Sequence, residues 1–82
     1  MLSGYVIANN HEAFLARHVG ASAFFWAASP ALAWVFPSRS FARRAVRRLR
    51  YPSNLWVLKL IETDSHYCVA APYHDRPSWL SL

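Results

Sequence analysis

The sequence predicts an α+β fold: an antiparallel sheet of four or five strands with one amphipathic helix packed on one face. Three observations carry this. The stretch Ser38 to Arg50 has helical periodicity, and several short apolar runs bounded by turn residues have the character of strands. The third is size, since 82 residues with a hydrophobic fraction of 55% have room for one core only. Residues 1–82 therefore form a single small domain, with 72–82 as a loosely packed tail. One helix on one sheet, in two layers, is the least elaborate way to cover an apolar sheet face.

The helix is the most strongly marked element. In SRSFARRAVRRLR, a step of about 100° per residue puts Phe41, Ala42, Ala45, Val46 and Leu49 on one side. Arg39, Arg43, Arg44, Arg47, Arg48 and Arg50 take the rest of the circumference. Ser38 follows Pro37 and is placed to accept the first orphan N–H groups as N-cap. Arginines in the last turn suit the negative end of the helix dipole, and Pro52 closes the segment. With the greasy side on the sheet, burial of Phe41, Val46 and Leu49 is expected to contribute about 1.5–3 kcal/mol each. Phe41→Asp should then unfold the domain and Arg43→Ala should not.

Ahead of the helix, Gly4 to Ala8 is a short β-type run ending in a turn at Asn9-Asn10. His11 to Val19 is ambiguous. Phe14 and Ala16 could alternate with Leu15 and Arg17 in a strand, or Ala13, Leu15, Ala16 and Val19 could line a short helix. Turns on both sides leave little room for a stable helix, so a strand is expected. Gly20 marks a turn, and Ser22 to Ala27 follows as a strand. Its consecutive aromatics imply either burial on both faces or a wall for a ligand. Ser29-Pro30 is an N-cap followed by proline at the first helical position, which makes Pro30 to Ala33 a single turn. Trp34 to Phe36 is extended, as Pro37 requires.

Beyond the turn cluster Tyr51-Pro52-Ser53-Asn54, Leu55 to Glu62 is the clearest strand. Trp56, Leu58 and Leu60 share one face and Leu55, Val57, Lys59 and Ile61 the other, so both faces are mostly apolar and a central place in the sheet follows. After Thr63-Asp64-Ser65, His66 to Ala71 returns antiparallel as a hairpin partner. Trp79 and Leu80 are positioned to pin the tail to the body.

Composition excludes much. The uncharged run Ala21 to Phe36 is shorter than the roughly 18–20 apolar residues a bilayer span needs, and Pro30 interrupts it. No membrane role is expected of it. The first residues, MLSGYVIANN, lack a basic segment and a long apolar run, so no secretory signal is expected. Cys68 is alone, which rules out an intrachain disulfide or a cysteine-based zinc site and fits a reducing cytoplasm.

Signs of catalysis are thin. There is no glycine-rich phosphate loop, His11 and His18 are not at metal-pair spacing, and no two of Glu12, Glu62, Asp64 and Asp75 are usefully paired. Cys68 with His66 or His74 could form a nucleophile and base, but a half-buried strand cysteine beside surface histidines is the plainer account. No catalytic residue, metal or cofactor is therefore assigned.

Charge is the positive signal. Net charge is +5, and six of the nine Lys and Arg residues fall between Ser38 and Arg50 with no acidic residue among them. Like charges three or four residues apart on a helix repel by a few tenths of a kcal/mol per pair. A partner bearing phosphates or carboxylates would relieve that repulsion. Exposed charge runs often serve solubility alone, but the lack of internal compensation favours binding. The candidate partner-binding set is Arg39, Arg43, Arg44, Arg47, Arg48, Arg50 and Tyr51, with Arg17, Lys59 and Arg76 as extensions.

The layout YVIANN, FFWAASPALAWVF, SRSFARRAVRRL, LWVLKLIET resembles a recurring plan among tiny phage and mobile-element proteins. In that plan an aromatic strand leads to an alanine-phenylalanine-serine passage, a helix with alanine at its buried positions, and a closing strand. Those positions here are Ala33, Phe36, Ser38, Ala42 and Ala45. From SRSFARRA through LKLIET to the Trp79 tail, the chain also looks like small anti-CRISPR proteins built as one helix on a five-stranded antiparallel sheet. The resemblance spans about half the chain, and its motifs are structural. It implies a non-enzymatic inhibitor in the bacterial cytoplasm that binds a CRISPR-Cas surveillance complex and blocks target DNA. With a charge of +5 such an inhibitor would not imitate DNA; it would engage acidic subunit surfaces, guide RNA or target DNA, with Tyr51 or an exposed Trp stacking on bases. Homodimerisation through surplus aromatics is left open.

Two rivals remain. One is a stand-alone, non-specific nucleic-acid-binding protein. The other is a small ribonuclease toxin, for which Arg47, Lys59, Tyr73, His74 and Arg76 would be suspects, although the N-terminal helix pair usual in such toxins is not evident.

Overall fold

A computed structural model describes residues 3–17, 23–49, 54–64, 66–71 and 76–80. Among them one α-helix lies on a five-stranded antiparallel sheet, as the sequence predicts. The strands are β1 (Ser3–Asn9), β2 (Phe14–Arg17), β3 (Phe24–Ala27), β4 (Leu55–Glu62) and β5 (Tyr67–Ala70), in the spatial order β3-β2-β1-β4-β5. The helix α1 is Arg39–Arg47, and a 3-10 turn occupies Pro30–Leu32. No described helix is long and apolar enough to cross a membrane.

Local chemistry sets the connections. The side chain of Asn9 accepts from the backbone N–H groups of His11 and Ala13 at 2.9 and 3.1 Å, which closes the β1–β2 turn. Glu12 takes a left-handed φ of 59° within it. Within the ambiguous stretch 11–19, Phe14 to Arg17 is a strand paired to Phe24 to Ala27, and 18–19 lie outside the described residues. Ser29 caps the 3-10 turn, its hydroxyl accepting from Ala31 N–H at 3.2 Å, with proline in the first turn. At the far hairpin the hydroxyl of Thr63 donates to the carbonyl of His66 at 2.8 Å.

The middle strand is β1, and β4 is interior beside it, bonded to β1 along seven residue pairs and to β5 along four. The β1–β2 ladder is short, with Ala8 opposite Phe14, and the extended segment Trp34–Phe36 bonds to both strands. Trp34 N–H donates to the Leu15 carbonyl at 2.8 Å, while Tyr5 and Phe36 exchange N–H···O bonds of 2.9 and 2.7 Å. Backbone groups that the short β1–β2 ladder leaves over are satisfied in this way.

Both sheet faces are apolar, as the pattern of β4 requires. On one, α1 covers Ile7 and Leu15 with Ala42, and Ala45, Val46 and Leu49 pack at the margin. On the other, Val6, Ala8, Phe14, Leu58 and Leu60 are covered by Ala33, Trp79 and Leu80. Trp79 stands edge-on to Phe14 at 5.9 Å, and Pro77 is fully buried. Within the 72–82 tail, then, Trp79 and Leu80 pack on the sheet beside the buried Pro77.

Two expectations about the helix are corrected. It spans nine residues, less than Ser38 to Arg50, because the N–H groups of Arg48 and Leu49 bond three residues back and tighten the last turn. Phe41 is 54% exposed and not in the core, so Phe41→Asp is no longer expected to unfold the domain. Of the greasy residues only Ala42 is fully buried, since α1 packs chiefly on β1 and β4 and lies close to them through its alanines.

Candidate nucleic-acid interface

Ser38 fixes where α1 begins, its hydroxyl accepting from Phe41 N–H at 3.3 Å. With Ala42 buried, helical geometry sends the arginines to two flanks. Arg39, Arg43 and Arg47, four residues apart, rise along the flank over β4, where they border a cleft of about 190 Å³ with Leu55, Trp56 and Val57. Arg44 and Arg48 rise along the flank facing β3. Arg43, Arg44, Arg47 and Arg48 are exposed and Arg39 is half-buried. No carboxylate among the described residues forms an ion pair with any of those four exposed groups. Arg43, Arg44 and Arg47 converge with Ser40 on the outer surface of the helix. Of the candidate set, Arg50 and Tyr51 lie outside the described residues.

The β3 flank carries a feature the sequence did not resolve. Because α1 sits over β1 and β4, the same face of β2 and β3 is left partly open. Phe24 and Trp26, cross-strand partners of Arg17 and Leu15, point to that face and are 48% and 38% exposed. Together with Trp34, Phe36 and Phe41 on the other side, Phe24 borders a groove of about 370 Å³ edged by Arg44 and Arg48. Trp34 stacks on Phe36 at 4.7 Å, and the guanidinium of Arg17 lies 4.4 Å over the Trp34 ring. Arg44 lies 5.5 Å over the ring of Phe41. The consecutive aromatics of SAFFWA signalled a ligand wall as one alternative, but Phe41 was indistinguishable from a core residue in the sequence.

Three of the remaining suspects fall among the described residues. Arg47 is on the helix, Lys59 in β4 and Arg76 in the C-terminal segment, and Tyr73 and His74 lie outside the described residues. Cys68 is exposed on edge strand β5, not half-buried, and its thiol lies 3.7 Å from the carbonyl oxygen of Ile61. It is exposed because β5 is short and only its Val69 side packs inward. No group of three or more His, Cys, Asp or Glu among the described residues is placed to hold a metal ion. A polar cleft between Ser29 and the β4–β5 hairpin brings Glu62, Asp64 and His66 to one rim.

The fold and this face define a small α+β protein with a cationic helix beside an aromatic groove. No family model matches the chain, and no curated protein or solved structure is significantly similar to it.

Proposed function

We propose that this chain is a non-enzymatic binding protein that grips a polyanion with the arginines of α1. Its proposed target is a CRISPR-Cas surveillance complex, whose access to DNA it blocks from within the bacterial cytoplasm. One observation carries the polyanion reading: Arg43, Arg44, Arg47 and Arg48 stand exposed on one rigid helix with no ion pair among the described residues. Guanidinium groups present several donors in a planar fork suited to phosphate and carboxylate. A helix holds them at fixed spacing, so less rotational freedom is lost on binding than on a loop. The narrower target is supported by the resemblance of SRSFARRA to LKLIET and by a fold of the kind that resemblance implies.

The test is capture from the cytoplasm of a host carrying a CRISPR system, with and without nuclease. Recovery of Cas subunits after nuclease treatment is expected. Charge reversal at Arg43, Arg44, Arg47 and Arg48 should abolish capture and inhibition and leave the melting transition in place. Inhibition at the wild-type level in that variant eliminates the reading.

The aromatic groove favours a second reading, a stand-alone nucleic-acid binder. It predicts binding to naked nucleic acid with steep salt dependence, because each neutralised phosphate releases condensed counterions. Recovery of nucleic acid alone in the capture experiment would select it.

A further inference from the structure

We propose that the groove between α1 and β3 is a stacking site for unpaired bases of single-stranded DNA, with the arginine flank of α1 holding the adjoining phosphates. This rests on the reading of α1 as a polyanion-binding element and adds a strand preference to it. Phe24 and Phe41 both line the groove with roughly half their surface exposed, although burying such rings is the largest single gain available to a small core. Trp34 and Phe36, stacked on one another, complete the aromatic lining. The volume of about 370 Å³ lies within the ~300–1,000 Å³ range of small-ligand pockets and suits flat rings.

Charge decides the occupant. Arg44 and Arg48 edge the groove, and Arg44 already lies over the Phe41 ring, so a ring entering beside Phe41 meets an aromatic face and a guanidinium together. A neutral apolar partner would gain nothing from these cations. A single strand presents bases and phosphates at once, and base–aromatic stacking beside a basic track is how such strands are held without sequence readout. Duplex bases are already stacked on their neighbours and cannot enter. Among the described residues the rest of the lining is Leu15, Ala45 and Leu49, with no hydroxyl, amide or carboxylate side chain to accept from a ribose 2′-OH. An apolar wall also accepts the thymine methyl group. Those two points select DNA over RNA.

The experiment titrates the full chain with a fluorescent ten-residue oligo-dT, the matching oligo-U, and a duplex of equal length over a range of salt concentrations. The expected order is oligo-dT tightest. Phe24→Ala and Phe41→Ala should each weaken oligo-dT roughly five- to a hundredfold, the size of one missing stack, with duplex binding and the salt slope unchanged. Phe41→Leu keeps an apolar side chain without a ring and should weaken oligo-dT as Phe41→Ala does. Changing Arg43, Arg44, Arg47 and Arg48 together to Ala should lower the salt slope on single strand and duplex alike, by about 0.7–0.9 for each phosphate left un-neutralised. Unchanged oligo-dT affinity in both alanine variants overturns the stacking site while leaving the arginine reading intact. Full binding by Phe41→Leu also overturns it, by assigning apolar contact and not stacking. Tighter binding of oligo-U than oligo-dT overturns the choice of DNA. No effect of the fourfold arginine change on any ligand removes the polyanion reading beneath it. Melting curves of Phe24→Ala and Phe41→Ala confirm that each variant is folded.

Discussion

The indole Nε1–H of Trp79 donates to the backbone carbonyl of Asn9 at 2.8 Å, joining positions 70 residues apart. The bond ties the C-terminal segment to the end of β1, and the same ring stands edge-on to Phe14. Trp79→Phe should keep much of the aromatic contact and lose the hydrogen bond, at about 0.5–1.5 kcal/mol. Trp79→Ala should cost about 3–5 kcal/mol, because it also uncovers the face of Phe14 and Leu58. Chemical denaturation followed by far-UV circular dichroism measures both. Equal losses would mean that the ring contributes nothing beyond its donor.

Gly4 is needed for a different reason. A β-carbon there would overlap the Val35 side chain and lie 3.1 Å from the Phe36 carbonyl oxygen. The close approach is what lets Trp34–Phe36 bond to β1 and β2 together. Gly4→Ala should therefore destabilise by about 1–3 kcal/mol through overpacking. Combining it with Val35→Ala, which removes the clashing methyl groups, should recover part of the loss. If Gly4→Ala melts like the wild type, the segment is not held that tightly.

Much of this fold was legible from the chain. The caps Ser29-Pro30 and Ser38, the turn at Asn9, and the two apolar faces of Leu55 to Glu62 are local signals, and each appears where its chemistry places it. The arginine flanks were legible because a helix with no internal acid must expose them. The groove was not. Phe41 lies at the margin of the apolar arc, and whether a marginal residue is buried depends on which strands lie beneath the helix. Because α1 settles on β1 and β4, Phe41 faces the open side of β2 and β3. That is a tertiary outcome with no local sequence signal. The last turn of the helix, where the N–H groups of Arg48 and Leu49 bond three residues back, likewise had no local sequence signal.

The contrast between Phe41 and Ala42 tests this placement directly. Phe41→Ala should cost less than about 1 kcal/mol, including its contact with Arg44, because the ring is half in water. Ala42 is fully buried against Ile7 and Leu15. Ala42→Leu should cost about 1–3 kcal/mol by forcing the helix off the sheet, and Ala42→Asp should abolish the cooperative transition by burying a charge. Thermal melts of the three variants suffice. A larger loss in Phe41→Ala than in Ala42→Leu would mean the helix is rotated from the orientation described.

Next to the turn of the β4–β5 hairpin, Glu62 and Tyr67 are cross-strand partners. The phenol donates a hydrogen bond to the carboxylate, and the negative charge of Glu62 opposes formation of a phenolate beside it, so the Tyr67 pKa is raised above the ordinary value of about 10. A raised folded-state pKa favours the protonated form in the folded chain. The stabilisation is therefore fully present below the ordinary phenol pKa and is lost as pH rises through the raised one. Solvent screens both groups, so the stabilisation is small and local to this hairpin, and its loss is confined to alkaline pH. Glu62→Gln keeps the side-chain shape and removes the charge, which should bring the titration of Tyr67 back down toward the ordinary range. Ring-carbon chemical shifts of Tyr67, followed through alkaline pH in both proteins, give the two midpoints. A midpoint that stays put in Glu62→Gln would show that the carboxylate does not govern this phenol.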